Sequence, residues 1–142
     1  MFNATISYLK IATCFGAAMC FLLMFFVGFD PWHSLDSMIW TDLYGKPELP
    51  EDAKKAFALP FLLFCWLSVL TMVLMFLITK YSLAKKETWA FWAIVLIGVF
   101  WPLGSTIITY YTKAWSYFVS VGMMTVLFFP PVVMLYPHFR TK

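Results

Sequence analysis

Charge is scarce in this 142-residue sequence. Lys, Arg, Asp and Glu together make up 12% of it, against about a quarter in a soluble domain. Acids are the rarer sign, seven against ten bases, and six of the seven lie between Asp30 and Asp52. Histidine occurs twice and cysteine three times. Each shortage excludes something. Disorder requires low hydrophobicity with high charge, whereas 63% of these residues are hydrophobic. A nucleic-acid surface requires a basic stripe, and the nearest approach is the pair Lys85-Lys86, so no nucleic-acid partner is expected. A disulfide framework requires paired, water-accessible thiols. Cys14, Cys20 and Cys65 all fall in apolar runs without a CxxC, and read as small hydrophobes. A soluble enzyme domain is excluded by composition, since mean hydropathy is +0.82.

Long apolar runs are what the chain has instead. A hydrocarbon core about 30 Å thick takes ~20 apolar residues at 1.5 Å rise each. Four runs qualify, approximately 11–29, 56–79, 88–111 and 114–136. Backbone polar groups must pair within the chain in lipid, so each run predicts one helix rather than barrel strands. The first exceeds a signal-peptide core, and FDPWH comes after it instead of a small-residue cleavage site, so it reads as a retained span. The expected fold is all-α: one membrane domain over 1–142, a four-helix up-down bundle with short loops after spans two and three. Lys10, Lys80, Lys85, Lys86, Arg140 and Lys142 fall on one side. Lys46, Lys54, Lys55 and Lys113 fall on the other. This bias predicts both termini in the cytoplasm, with the 30–55 loop outside.

The outer loop has its own pattern. Asp30 suits an N-cap and Pro31 the first helical position. Trp32, Leu35, Met38, Ile39 and Leu43 recur at helical spacing, opposite Asp36, Ser37, Thr41 and Asp42. This predicts a short amphipathic helix lying in the headgroup plane. Pro50, Glu51 and Asp52 read as the acidic first turn of the next helix. Asp30, His33 and Asp36, spaced i, i+3, i+6, are a weak candidate for a divalent metal or acid/base pair. A cap, an interfacial histidine and a solvated acidic face is the favoured reading, so no metal site is predicted.

The span interiors hold no centrally placed ionisable residue, the usual mark of transport or proton relay. That disfavours a small multidrug exporter and a sterol-isomerase-like enzyme. His33 and His138 are predicted on opposite sides and cannot share a haem iron. No catalytic residue and no cofactor is predicted, and the balance leans away from an enzyme. Aromatics, at 21%, could still build a lipid or quinone site. Trp66 and Trp101 lie deep in their runs. Pro102 frees a carbonyl one turn earlier, so a kink is expected over Trp101–Ser105. Trp101, Pro102, Ser105, Trp66, Trp32 and His33 are the candidate ligand-binding residues, with structural packing the favoured alternative. Pro130-Pro131 should bend span four.

Apolar side chains gain little by leaving lipid, so helices associate through small residues. Candidates are Ala12, Gly16 and Cys20 in span one, Gly98 in span three, and Ser116 and Ser120 in span four. Wide apolar faces remain for lipid or for other subunits.

The order of parts is an apolar span, a Phe29-Asp30-Pro31-Trp32 exit, an amphipathic stretch, and three closely spaced spans. This resembles the small four-span DoxX-like membrane proteins at the level of topology, over most of the chain. Such families often carry an arginine and glycines entering span two, where this chain has Lys54, Lys55 and Ala56. The resemblance implies a bacterial inner-membrane protein, sometimes an accessory part of a quinone-linked or redox system. It carries over no catalytic residue. Three functional readings are open. The first is a non-catalytic accessory or scaffold subunit, partnered by lipids and by other membrane subunits or copies of itself. The second is a lipid- or quinone-binding protein or enzyme using the span-three kink and the outer helix. The third is an oligomeric channel or transporter.

Overall fold

The computed structural model describes residues 1–29, Thr41, Gly45, 51–113 and 115–140. The proposed outer-loop residues Asp30, Trp32, His33 and Asp36 lie outside the described residues, as do the side chains of Ser116 and Ser120. Every described element is helical. In order they are α1 (Phe2–Phe29), α2 (Glu51–Tyr81), a 3₁₀ turn (Leu83–Lys85), α3 (Thr88–Val95), a π-helical turn (Leu96–Phe100), α4 (Trp101–Tyr111), α5 (Trp115–Leu135) and a 3₁₀ turn (Tyr136–His138). Four stretches are long and apolar enough to cross a membrane: Phe2–Leu22, Leu62–Lys85, Thr88–Tyr111 and Val121–His138. The chain is an integral membrane protein, and α3, the π turn and α4 together make its third span.

Helix α1 begins at Phe2, nine residues before the run that starts at Ile11. Asn3, Thr5 and Ser7 look like headgroup or loop residues in the sequence. A threonine hydroxyl, however, can pair with its own helix, and Thr5 Oγ1 donates to the Met1 carbonyl at 3.1 Å. Lys10 therefore lies within α1, half-buried. It is about 12 Å along the helix from Phe2, and its flexible stem shortens its path to water. Helix α2 starts at Glu51, with Glu51 and Asp52 in the turn where carboxylates oppose the helix dipole.

Side-chain pairs fix how the helices meet. A Cβ at Gly16 would stand 3.2 Å from Met72 Sδ, so α1 and α2 approach closely there. One at Gly98 would stand 3.1 Å from Met75 Cε and 3.3 Å from Phe128 Cβ. Gly98 is thus where the third span presses against both α2 and α5. Phe91 and Phe139 stack at 4.9 Å and 15°. Phe2 meets His138 edge-on at 5.2 Å.

A proline in α5 explains one contact between helices. Pro131 has no N–H, so it leaves the carbonyl four residues earlier, that of Leu127, without a helical donor. Tyr8 Oη, from α1, donates to that carbonyl at 3.2 Å. The orphan acceptor is satisfied by a neighbouring helix.

Burial is uneven along the spans. Leu9, Met75, Leu83, Phe91, Ile94, Phe128 and Leu135 are buried. All belong to the half that holds the N-terminus, the turn after α2 and the end of α5. Toward the other half Leu59, Leu63, Leu103, Ile107 and Ile108 are exposed. Large side chains are exposed at the first end too, Ile11, Trp89, Trp92 and Met134 among them, so among the described residues each span keeps an uncovered apolar face.

Candidate functional site

The site lies beside the break in the third span. Pro102 cannot donate to the helix ladder, and the chain takes up a π turn over Leu96–Phe100 just before it. There the Trp101 N–H reaches back five residues to the Leu96 carbonyl. A π turn adds one residue to the helix circumference and rotates the residues beyond it. It brings Leu96, Ile97, Phe100 and Trp101 to face Thr71 and Leu74 of α2 across an open groove of about 510 Å³. The Phe64 ring tilts against Trp101, with centroids 6.0 Å apart.

The groove is apolar in its chemistry. Its one hydroxyl, on Thr71, donates to the Leu67 carbonyl at 2.7 Å. The same local pairing occurs at Thr13, Ser68 and Thr106, which donate to Leu9, Phe64 and Pro102. These hydroxyls serve their own helices instead of forming a polar path. Thr79 Oγ1 differs: it is fully buried and has no hydrogen-bond partner. Among the described residues no group of His, Cys, Asp and Glu could hold a metal ion.

Of the sequence candidates, Trp101 lines the groove and is 39% exposed. Pro102 is buried behind it, and Ser105 is half-buried one turn further on. Trp66 is exposed elsewhere on α2 and does not line it. Trp32 and His33 lie outside the described residues. Sequence reasoning missed Phe64, Thr71, Leu74, Leu96 and Phe100, whose one signal was helical spacing on two runs whose mutual register only the fold supplies. Among the small residues, Gly16 and Gly98 sit at helix contacts, while Ala12 and Cys20 are half-buried on α1. The thiols of Cys14, Cys20 and Cys65 are free.

No protein-family model matches the chain, and no curated protein and no solved structure matches it either.

Proposed function

We propose that this chain is a non-catalytic integral membrane subunit, an accessory or scaffold component of a larger membrane assembly. The observation that carries this reading is how little of each span is covered. Over 18 apolar residues within each of the four stretches, 28%, 33%, 28% and 22% are buried inside the protein. A second feature supports a protein partner. A Cβ at Gly104 or Gly122 would meet nothing within 4 Å. Glycine in a helix costs roughly 1 kcal/mol relative to alanine, and neither position recovers this by internal packing. Open notches of this kind let a further helix approach closely.

Within the same reading the four spans form an up-down bundle. The contacts of Phe2 with His138, of Gly16 with Met72, and of Phe91 with Phe139 support antiparallel neighbours. The segment after α1 lies as an amphipathic helix in the outer headgroup plane. Both termini are cytoplasmic in this reading, which the lysine bias supports, and the bacterial inner membrane is what the DoxX-like resemblance implies. A DoxX-like setting would make the assembly redox-linked. Extraction of the native membrane in mild detergent, followed by native mass spectrometry, tests the proposal. A stable assembly containing this chain is expected, whereas a lone, stable monomer would count against it.

The groove favours a second reading, a binding site for the apolar tail of a lipid or quinone. Trp101 and Phe100 supply flat, uncharged surface there, and an apolar ligand needs little else. Co-purification of a hydrophobic ligand that is lost on Trp101→Ala would support it, and unchanged ligand content would remove it.

A further inference from the structure

We propose that the end of the protein formed by Met1, the turn after α2 and the segment after α5 is a binding surface for anionic phospholipid headgroups. This goes beyond the subunit reading and does not depend on it. Lys80, Lys85, Lys86 and Arg140 gather at this end, and Glu87 is the one acidic side chain beside them among the described residues. The other six acids lie between Asp30 and Asp52.

Aromatic contacts hold the cationic segments together. Lys86 Nζ stands 5.2 Å from the Phe2 ring centroid. The same ring meets His138 at 5.2 Å and Phe139 at 6.3 Å. Phe139 in turn stacks on Phe91. Lys86 and Arg140, from distant parts of the sequence, therefore stand on neighbouring segments around one ring. Lys86 takes a left-handed conformation, φ 61°, and its N–H closes on the Leu83 carbonyl at 2.9 Å. This conformation ends the 3₁₀ turn and leaves Lys85 and Lys86 both exposed.

The one local carboxylate does not neutralise them. Glu87 Oε2 accepts the Trp89 indole N–H at 2.7 Å. Among the described residues Lys80, Lys85, Lys86 and Arg140 make no ion pair. Lys80 Nζ lies 5.0 Å from the Tyr81 centroid. Tyr81, Trp89, Trp92 and Tyr136 are exposed around the same end, as rings at headgroup depth are. Unpaired cations in a belt of amphipathic rings match a lipid that brings a net negative headgroup and acyl chains together. A free phosphate would use the cations and leave the rings unmatched.

The test reconstitutes the full chain in phosphatidylcholine vesicles carrying a minor fraction of brominated phosphatidylglycerol, or of brominated phosphatidylcholine. Tryptophan quenching gives the relative binding constant. A basic residue near an anionic surface contributes about fivefold in binding, so phosphatidylglycerol should be preferred by at least that factor. High salt should lower the preference. Lys85→Gln/Lys86→Gln/Arg140→Gln should bring it to unity, while Lys85→Arg/Lys86→Arg should keep it. Loss of positive charge can invert a membrane protein, and the arginine variant with the salt series tests the proposal without that risk. Equal quenching by the two lipids in the unaltered protein would overturn it. So would a preference indifferent to salt, or one abolished by inorganic phosphate at matched ionic strength, which would assign the site to free phosphate.

Discussion

Replacing Tyr8 by phenylalanine removes one hydroxyl from α1 and leaves the Leu127 carbonyl without a donor. The 3.2 Å bond is a single interaction between helices, and such bonds in membrane proteins average about 0.6 kcal/mol and reach about 1.7. An acceptor left unsatisfied costs roughly 1–3 kcal/mol. Tyr8 is 43% exposed, which permits some relief near the headgroups, so the expected loss is about 1 kcal/mol. The informative comparison is with Pro131→Ala. Alanine restores the backbone N–H that Pro131 lacks, and that N–H can close on Leu127 within α5. In this background Tyr8→Phe should cost close to nothing, giving a coupling of about 1 kcal/mol between residues on different helices. Reversible unfolding in mixed micelles across the four-protein cycle measures it. Equal cost of Tyr8→Phe with proline or alanine at position 131 would refute the account of Tyr8 as the substitute donor.

The two kinds of glycine in the third span should respond in opposite ways. Gly98→Val should destabilise by about 1–3 kcal/mol through overpacking, because its Cβ would press on Met75 and Phe128; Gly104→Ala should leave the melting temperature unchanged or raise it. Gly104→Leu with Gly122→Leu should leave the isolated protein folded but release it from its native assembly, read by co-purification. Thr79→Val keeps the shape and deletes a buried hydroxyl without a partner, so it should be neutral or stabilising by up to about 1–3 kcal/mol in the same unfolding assay. Phe139→Ala removes the ring stacked on Phe91, and should cost about 3–5 kcal/mol as a buried aromatic truncation.

The four crossings were legible because a bilayer imposes a length on any apolar run. The true start of α1 was not. Thr5 and Ser7 look the same in a sequence whether their hydroxyls face water or fold back onto a carbonyl. Pro102 announced a break in the third span, but proline chemistry alone does not choose a π turn over a simple kink. That choice decides that Leu96 and Phe100 share a wall with Trp101. Trp66 and Trp101 were equivalent in the sequence, both deep in their runs. They part company only when α2 is set in register against α4. Gly98 and Gly104 illustrate the same limit: six positions apart in one span, one is wedged between two helices and the other looks onto open space.

Helix α2 has a consequence of scale. Its 31 residues extend about 46 Å at 1.5 Å each, while the hydrocarbon is about 30 Å thick. Its far end is tethered by the short turn into α3, with Lys80 and Lys85 at the membrane surface. The surplus of about 16 Å then accumulates at the Glu51 end, unless tilt absorbs it. The first turns of α2, from Glu51, then form a helical stalk standing clear of the hydrocarbon.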